Sequence, residues 1–435
     1  MSHSSRRTFI GISAAVLSRL AGRTRAAGPN DRIRLGWIGC GGIGKVNIRV
    51  FLDSPEVDCV AVCDVDDRRA AEGAELVEKL RGKRSEAVKD FRRIIERKDV
   101  DACLVTTPDH WHALPTVYAC QEGKDVYVEK PLATSIAEGR SMVEAAKRHN
   151  RVVQMGTQWR SGDHYREAIE TVQSGRLGKI RLVRAWAYLD WVGGIGKPPD
   201  GDPPPGVDYD LWLGPAPLRP FNPNRFHFNF RWFWDYAGGL MTDWGVHLLN
   251  LAMWAMGREH PRTVTSTGGK FVVDDNSETP DTQVAVYDFP SYTLIWEHLL
   301  AGGLGPGGKP HGLSFTGSDG TLIVDGDGYE VTPEPKKRGL RPFKRPVDPN
   351  FRGADGRPAH IRNFLDCMRS RQQPASNVDV GHFVATIGHL GNVALRTGAK
   401  ITWQPENESV AGDAATDMMI ARPYRKPWTL PGGKT

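Results

Sequence analysis

The chain has 435 residues, of which 40% are hydrophobic and 25% are charged, and its formal net charge is +6. This length exceeds what one hydrophobic core usually organises, so it predicts two domains. The ordinary share of charged residues argues against long disordered regions, and a modest charge without a nucleic-acid-binding motif argues against nucleic acid as a partner. The basic segment 336–345 is expected to be solvated surface.

The N-terminal sequence is typical of an export signal and not of a folded domain. Arg6 and Arg7 precede a short apolar run that Arg19 interrupts, and small residues follow near position 27. The run is too short to span a bilayer, and no other segment is suited to do so. The pattern predicts a twin-arginine signal and linker over 1–30, and therefore a periplasmic or exported protein. The alternative is an unstructured basic N-terminus on a cytoplasmic protein.

A glycine-rich turn lies near the start of the first domain, which we place at 31–155. In "RIRLGWIGCGGIGKVNIRVFL", Gly39, Gly41 and Gly44 form a G-x-G-x-x-G pattern between a predicted strand and a predicted helix. The first glycine allows a tight turn, the second lets backbone approach a pyrophosphate, and the third lets the helix pack closely on the strand. The predicted dinucleotide contacts of this turn are Gly39, Gly41, Gly42, Ile43 and Gly44.

Asp64 ends the next predicted strand, twenty residues after Gly44. A carboxylate at this place accepts hydrogen bonds from the ribose hydroxyls of NAD and repels the additional phosphate of NADP. The nearby Arg68 and Arg69 keep NADP open as an alternative, but we expect NAD.

Helices and strands alternate through the rest of the first domain. This order predicts a parallel, doubly wound sheet, in which ligands bind at the carboxyl ends of the strands. The predicted helices cover 67–81, 110–122 and 135–149, and the predicted strands cover 100–106, 125–129 and 151–155. Two strand ends carry reactive side chains, in "TTPDHWH" and "EKP". The residues expected beside the cofactor there are Thr107, Pro108, His110, Glu129 and Lys130.

A polar stripe runs along the apolar segment "GGLMTDWGVHLLNLAMW". Asp243 and His247 are four residues apart and therefore project from one face of a helix, which Asn250 extends. Such a stripe is either a satisfied core network or an active site. None of the six cysteines forms a C-x-x-C pair, and no third ligand has a recognisable spacing, so we expect no disulfides and no metal site.

Together, "GCGGIG", "TTPDHWH", "YVEKPLATSIAEG", "MGTQWRSG" and the polar stripe resemble the Gfo/Idh/MocA oxidoreductases over roughly 32–405. The resemblance implies an α/β protein with an N-terminal Rossmann domain and a C-terminal α/β domain, whose open, mostly antiparallel sheet often forms oligomers. It also implies a catalytic set of Lys130, Asp243 and His247. Many members have aspartate where this chain has Asn250. A related branch of NAD-dependent glycosidases commonly lacks the E-K-P lysine.

The chemistry of these three residues fits the oxidation of a carbinol, in which hydride and proton leave separately. His247 is expected to be the general base, since the pKa of histidine lies nearest neutrality. Lys130 either hydrogen-bonds the reacting oxygen or is itself the base, and the sequence does not separate these roles. Asp243 either orients the imidazole or holds another substrate hydroxyl.

The second domain, placed at 156–405 with an extension at 406–435, is rich in tryptophan. Nine of the thirteen tryptophans fall between residues 151 and 300. Indole stacks on the apolar faces of sugar rings, whose hydroxyls need polar partners, so a carbohydrate or polyol is expected. The predicted substrate contacts are Gln158, Trp159, Arg160, Arg231 and Trp232. A Gly/Pro-rich loop at 193–206 is expected to be a lid or an oligomer arm. Two final helices, at 359–371 and 378–397, are expected to pack near the domain junction.

The leading hypothesis is therefore an NAD(P)-dependent sugar or polyol dehydrogenase, forming a homo-oligomer through its C-terminal sheet. The second is a glycoside-cleaving enzyme that uses NAD to oxidise C3 transiently. The third is a non-catalytic sugar or nucleotide sensor, which the presence of all three polar residues disfavours. Because free NAD is scarce outside the cytoplasm, export would require a tightly held cofactor.

Overall fold

The computed structural model describes residues 32–191, 194–336, 339–348, 354–411 and 420–432. The predicted export signal lies outside the described residues. Among those residues, no helix combines the length and the apolar character needed to cross a membrane. All six cysteines are buried and unpaired.

A six-stranded parallel sheet forms the core of the first lobe. Its strands are β1 (Ile33–Ile38), β2 (Val57–Cys63), β3 (Glu86–Val88), β4 (Ala102–Val105), β5 (Asp125–Val128) and β6 (Val153–Met155). The helices of this lobe are α1 (Gly42–Asp53), α2 (Asp67–Arg81), α3 (Arg92–Ile95), α4 (Ala113–Gln121) and α5 (Ile136–Arg148). The strand order β3-β2-β1-β4-β5-β6 is that of a dinucleotide-binding fold, with its crevice where the order reverses between β1 and β4.

Most elements of the first lobe match the sequence-based prediction, and the differences have local causes. α2 begins and ends where predicted. The helix predicted over 110–122 is instead a 3₁₀ turn, Asp109–Trp111, followed by α4. β3 and α3 are too short, at three and four residues, to produce a periodic pattern in the sequence.

A ten-stranded sheet forms the second lobe. Its strands are β7 (Leu182–Tyr188), β8 (Thr263–Gly269), β9 (Thr282–Asp288), β10 (Thr293–Leu299), β11 (His311–Thr316), β12 (Gly320–Asp325), β13 (Gly328–Pro333), β14 (Phe343–Pro346), β15 (Ile401–Gln404) and β16 (Ser409–Val410). Their order is β14-β13-β12-β11-β7-β10-β9-β8-β15-β16, and only the β7–β10 pair is parallel. The expected α/β architecture with an open, mostly antiparallel second sheet is confirmed.

Five helices accompany the second sheet within the described residues, and most of them also contact the first lobe. They are α6 (Asp163–Gln173), α7 (Tyr209–Leu213), α8 (Gly239–Met256), α9 (Arg357–Ser370) and α10 (Val378–Thr397). On α9, the Phe364 ring lies 6.1 Å from the Phe51 ring and 5.8 Å from the Tyr127 ring, both in the first lobe. α10 packs against both α8 and α5. These helices fix α8 at the junction of the lobes.

The Gly/Pro-rich loop also returns to the first lobe. We call residues 194–208 the strap. The Asp208 backbone N–H donates to the Val65 carbonyl at 2.9 Å, and the Asp67 N–H donates to the Gly206 carbonyl at 3.2 Å. The strap therefore attaches to the segment between β2 and α2, directly after Asp64.

Candidate active site

A cleft of about 550 Å³ lies between the lobes, where β1, β4 and β5 end opposite α8. Both lobes contribute to its walls. The first lobe supplies the glycine turn and the ends of three strands, and the second lobe supplies α8 and the segment that precedes it. Polar side chains that line the cleft include Asp64, Asp109, Lys130, Arg231, Asp243 and His247.

The glycine turn has the shape that a pyrophosphate requires. Gly39 has a φ of +92°, and a Cβ atom at this residue would lie 2.6 Å from the Thr106 carbonyl oxygen. A Cβ at Gly44 would lie 2.4 Å from the Gly39 oxygen, so α1 approaches β1 as closely as its backbone allows. Nothing lies within 4 Å of the Cβ position at Gly42. The turn therefore leaves open space at the N-terminus of α1, where a phosphate is stabilised.

Asp64 is held at the end of β2 by two backbone groups. Its Oδ2 accepts from the Cys40 N–H at 2.8 Å, and its Oδ1 accepts from the Asp66 N–H at 3.0 Å. Burial raises the pKa of this carboxyl, while the two N–H donors and Arg69 lower it. Each oxygen keeps a lone pair for a ribose hydroxyl, so the site fits NAD. Arg69 lines the same end of the cleft.

The three residues of the predicted catalytic set meet in the cleft. The Lys130 ammonium forms an ion pair with Asp243 Oδ1 and lies 3.3 Å from the Asp243 carbonyl oxygen. The Arg231 guanidinium donates to Asp243 Oδ2 at 3.0 Å. His247 lies one helical turn further along α8, on the same face as Asp243. The Asp243 carboxylate thus joins a lysine of the first lobe to an arginine of the second.

The electrostatic state of Asp243 follows from these neighbours. Burial alone would raise the pKa of this carboxyl, but the charges of Arg231 and Lys130 and the hydrogen bond from Lys130 hold it well below its ordinary value. Asp243 is therefore a carboxylate throughout the neutral range. An acid in this state orients cations and accepts hydrogen bonds, and it does not donate a proton.

His247 is a neutral imidazole. Burial lowers its pKa well below the ordinary value, and the adjacent Lys130 charge lowers it further. Its Nδ1 has no hydrogen-bond partner within the described residues. Its ring centroid lies 4.7 Å from that of Trp159. Nδ1 is buried rather than open to the cleft. The neutral imidazole is able to accept a proton, but its lowered pKa makes it a weaker base than the near-neutral histidine expected from the sequence.

Asp109 lines the cleft, although the sequence did not single it out. The residue is 7% exposed, and no hydrogen bond reaches its carboxyl within the described residues. Burial raises its pKa to about 8, with Lys130 lowering it and Asp243 raising it. Asp109 is therefore largely protonated at neutral pH, so its carboxyl is available as a hydrogen-bond donor to a ligand.

The Glu129 carboxylate holds the backbone of Lys130 through hydrogen bonds. Its Oε1 accepts from Asn47 Nδ2 at 2.6 Å, and its Oε2 accepts from the Lys130 N–H at 3.2 Å. Arg357 of α9 donates to Asn47 Oδ1 at 2.6 Å and, with the Gln158 amide oriented to satisfy both groups, to the Gln158 oxygen at 2.9 Å. This network fixes the backbone from which Lys130 projects.

An aromatic wall covers one side of the cleft. We use this name for Trp159, Trp191, Phe228 and Trp244, all of which line it. The Trp159 and Trp244 ring centroids are 5.5 Å apart, those of Trp191 and Trp244 are 5.8 Å apart, and those of Trp191 and Phe228 are 6.2 Å apart. Trp191 is 44% exposed and Phe228 is 58% exposed, so much of their apolar surface is free for a ligand.

Several other predicted residues also line the cleft, whereas four do not. Gly44, predicted as a dinucleotide contact, is one of the four, because it packs α1 against the Gly39 carbonyl oxygen instead. Gly39, Gly41, Gly42, Ile43, Thr107, Pro108, Gln158 and Trp159 are among those that do. His110 lies on the far side of the 3₁₀ turn, where its Nε2 faces the Trp212 carbonyl oxygen at 2.9 Å. Arg160 lies over the Trp254 ring and donates to Asn250 Oδ1 at 2.9 Å. Trp232 is fully buried in the core. Neighbours in a turn or 3₁₀ segment point in different directions, and spacing in the sequence does not reveal which one faces the ligand.

The fold and the cleft define an oxidoreductase of the Rossmann class with its reactive residues shared between two lobes. Two domain models of the Gfo/Idh/MocA oxidoreductase family match this chain. The model of the NAD-binding Rossmann fold matches residues 33–157, and the model of the C-terminal α/β domain matches residues 176–288 and 351–430. This chain belongs to the Gfo/Idh/MocA family.

Curated relatives include dehydrogenases of inositol. The chain is 24% identical over 370 residues to the Thermotoga maritima myo-inositol 2-dehydrogenase, covering 83% of this chain and 96% of that protein. It is 35% identical over 162 residues to the Rubrobacter xylanophilus inositol 2-dehydrogenase, covering 37% and 45%. It is 32% identical over 165 residues to a glycosyl hydrolase family 109 protein of Saccharopolyspora erythraea, covering 37% and 36%.

Solved structures share the fold at low sequence identity. A levoglucosan dehydrogenase in complex with NADH and levoglucosan has a TM-score of 0.67 at 18% identity, covering 85% of this chain and 99% of that one. The Bordetella pertussis WlbA dehydrogenase in complex with NADH and UDP-GlcNAcA has a TM-score of 0.63 at 19% identity, covering 86% and 99%.

Proposed function

We propose that this protein is an NAD-dependent dehydrogenase of a sugar or polyol. The observation that carries the proposal is the meeting of Lys130, Asp243 and His247 in the same cleft as the glycine turn. NAD, when bound, accepts the hydride that leaves the carbinol carbon. The chain's own residues then have to bind the alcohol, orient it and take its proton.

The charges of the site favour a division of roles between lysine and histidine. The Lys130 ammonium, braced by Asp243, donates a hydrogen bond to the reacting oxygen and stabilises its developing negative charge. His247, which is neutral, accepts the hydroxyl proton in oxidation and returns it in reduction, through the ring nitrogen other than the buried Nδ1. Because burial and the Lys130 charge disfavour the protonated ring, the proton passes on from the imidazole to solvent.

The walls of the cleft favour a ring that carries several hydroxyls. The aromatic wall offers apolar surface to the C–H face of such a ring. Asp243 and Arg231 offer an acceptor and a donor to its hydroxyls, and protonated Asp109 offers another donor. Relatives named for inositol and levoglucosan support the same substrate class.

The strap supports retention of the nucleotide. It attaches beside Asp64, at the ribose end of the cleft, and His227 of the second lobe faces Asp66 Oδ2 at 3.2 Å. We infer that these contacts slow cofactor release, which would suit an enzyme exported with its NAD. Twin-arginine export and assembly through the second sheet belong to this proposal.

Substrate-dependent formation of NADH is the decisive measurement. The purified protein is incubated with NAD and a panel of cyclic polyols and anhydrosugars that includes myo-inositol and levoglucosan. Lys130→Ala is expected to lose NADH formation while it still binds NADH, and Lys98→Ala at an exposed lysine is expected to behave as wild type. Unchanged turnover in Lys130→Ala would refute the assignment.

A second candidate function is NAD-dependent cleavage of glycosides, which the family 109 relative favours. In this reaction, oxidation at C3 acidifies the C2 proton, loss of that proton expels the glycosidic oxygen, and addition of water with return of the hydride restores the sugar. Aryl glycosides separate the two functions. Release of the aglycone without net NADH indicates cleavage, whereas net NADH without aglycone release indicates the dehydrogenase.

A further inference from the structure

The last described segment of the chain crosses from the second lobe to the first. We call residues 420–432 the tail. Its Arg425 side chain donates to the Gly214 carbonyl oxygen at 3.0 Å and to Asp210 Oδ1 at 2.6 Å, which attaches it to α7 and to the residue after α7. Its Tyr424 hydroxyl donates to Glu138 Oε1, on α5 of the first lobe, at 2.7 Å. The tail is therefore attached to both lobes.

Trp428 of the tail packs on two aromatic residues of the first lobe. Its ring centroid lies 4.8 Å from that of Trp111, edge to face, and 6.4 Å from that of Phe91, with 30° between the ring planes. The Phe91 and Trp111 centroids are 5.2 Å apart. The Arg92 guanidinium lies over the Trp428 ring, 5.3 Å from its centroid. Ring pairs attract one another at these distances, so the three rings form one cluster.

The indole of Trp111 lies against the backbone of the second lobe. Its Nε1 donates to the Leu211 and Trp212 carbonyl oxygens, each at 3.0 Å. Gly214 has a φ of +51°, and a Cβ atom at this residue would lie 2.0 Å from a ring carbon of Trp111. The indole therefore fits there only because residue 214 has no side chain. With Trp428 also packed on it, Trp111 is only 5% exposed, so the second lobe and the tail together enclose this side chain of the first lobe.

Phe91 and Trp111 both line the nucleotide end of the cleft, whereas Trp428 does not. The Asp64 N–H donates to the Val88 carbonyl oxygen at 3.2 Å, so the segment that leads to Phe91 runs beside the expected ribose site. Trp111 ends the 3₁₀ turn that follows β4. The adenine of NAD is attached to the ribose that this aspartate binds. We therefore expect the two rings to form part of the wall around the adenosine half.

We propose that Trp428 is a positioning residue for the nucleotide, which holds Phe91 and Trp111 in place around the adenosine half of NAD. Truncation of Trp428 leaves a space beside both rings, into which they relax. The affinity for the adenosine half then falls, mainly through faster dissociation. The inference rests on nucleotide binding at the glycine turn, which is one part of the proposed function, and not on the sugar substrate.

Titration of the full-length protein, freed of nucleotide, with ADP and with NADH tests this role. ADP carries the adenosine half without the nicotinamide. Trp428→Ala is expected to weaken the binding of both ligands to the same degree, by at least about fivefold. Trp428→Phe, which keeps an aromatic ring, is expected to recover most of the affinity. Phe343→Ala is the matched control, because this aromatic residue is 49% exposed and packs on the Tyr329 ring in the second sheet. It is expected to bind both ligands as wild type.

The same titrations provide the outcomes that overturn the proposal. Unchanged ADP affinity in Trp428→Ala would refute it, and so would an equal loss of affinity in Phe343→Ala. Thermal melting establishes that each variant is folded. If Trp428→Ala does not fold, Arg425→Gln, which releases the tail from α7 and leaves the three rings intact, is expected to weaken ADP binding, and unchanged affinity there would also refute the proposal. A protein that forms no NADH with any sugar would refute the dehydrogenase assignment and leave these titrations unaffected.

Discussion

The ammonium of Lys130 and the carboxylate of Asp243 form an ion pair across the junction of the two lobes, although 113 residues separate them in sequence. Arg231 neutralises the second oxygen of the same carboxylate at 3.0 Å. One acid therefore positions two cations, one from each lobe, beside the place where the substrate oxygen is expected.

Asp243→Asn tests this arrangement. The substitution keeps the side-chain shape but leaves the two cations without their anion, so we expect a loss of about 2–4 kcal/mol of stability and a fall in kcat/KM of about 10²-fold as Lys130 loses its orientation. Thermal melting and steady-state kinetics provide the two readouts. Asp210→Asn is the matched control, because the Asp210 side chain is 76% exposed in its ion pair with Arg425, and it is expected to change stability by less than about 1 kcal/mol. Equal effects of the two substitutions would contradict the proposed role.

Asp109 predicts a pH dependence of the reaction. Its pKa of about 8 means that the carboxyl carries its proton below pH 8 and loses it as the pH rises above that value. If the neutral acid donates a hydrogen bond to the substrate, kcat/KM falls on the alkaline side. Asp109→Asn keeps an N–H donor at all pH values and is expected to remove that alkaline limb. The test compares the pH profiles of kcat/KM for wild type and Asp109→Asn, measured with the same substrate. If the alkaline fall in kcat/KM is unchanged in the variant, a group other than Asp109 causes it.

The preference for NAD is predicted to depend on Asp64. Asp64→Ser removes the negative charge that faces the ribose, while Arg69 remains at the same end of the cleft. We expect the ratio of NADH affinity to NADPH affinity to fall by at least about tenfold, or ~1.4 kcal/mol. Fluorescence titration of both nucleotides measures it. Asp67→Asn, at a side chain that is 61% exposed, is the control. If Asp64→Ser leaves the ratio of NADH affinity to NADPH affinity unchanged, another residue selects the cofactor.

Glu408 predicts how stability responds to acid. Burial raises the pKa of this carboxyl, but hydrogen bonds from His382 and Arg140 outweigh burial and bring it to about 2, below the ordinary 4.5. A depressed carboxyl pKa stabilises the fold fully above the unfolded value, and this stabilisation is lost as the pH falls from 4.5 towards 2. Glu408→Gln is therefore expected to lower stability by about 1–2 kcal/mol at neutral pH, since the carboxylate is partly solvated.

Denaturant unfolding of Glu408→Gln at several pH values checks this expectation. The difference from wild type should shrink as the pH is lowered through the stated range. Glu406→Gln, at an exposed neighbouring carboxylate, is expected to match wild type at every pH. A difference for Glu408→Gln that stays constant down to pH 2 would show that the effect is not electrostatic.

The contact between His227 and Asp66 predicts slow nucleotide release. His227→Ala removes the side chain that joins the second lobe to the segment after Asp64. We expect NADH to dissociate about tenfold faster, because a lost contact of ~1.4 kcal/mol appears mainly in the off-rate. Stopped-flow displacement of NADH measures the rate, with His149→Ala as the control. An unchanged rate would remove the support that the strap region gives to a retained cofactor.

Local sequence motifs predicted residues that lie at the nucleotide end of the cleft. They did not predict which side chains of a turn point into the cleft. Gly39 and Asp64 are fixed by strand–turn–helix geometry, and Asp243 and His247 by helical spacing. His110 and Asp109 are adjacent in a 3₁₀ turn, yet only Asp109 faces the cleft. Local sequence gives no reason to prefer one over the other, because the choice depends on packing of His110 against the second lobe.

The tryptophans show a second reason why part of the site could not be predicted from the sequence. Composition indicated an aromatic site, but Trp186 and Trp232 are buried in the core while Trp191 and Trp244 form part of the wall. Each of the four has a charged residue one or two positions before it, so the neighbouring residues do not distinguish the buried tryptophans from those in the wall. Which of them faces a ligand depends on sheet register and on contacts between distant segments, and neither is encoded within a short window of sequence.

The aromatic wall is built entirely from residues that follow the nucleotide-binding sheet, whereas the lysine and the glycine turn precede them. Substitutions at Trp191 or Phe228 therefore alter which alcohol fits without touching the redox half of the protein. If the proposed function is correct, a few substitutions in this wall would change the substrate preference, and the residues proposed for hydride exchange would stay the same.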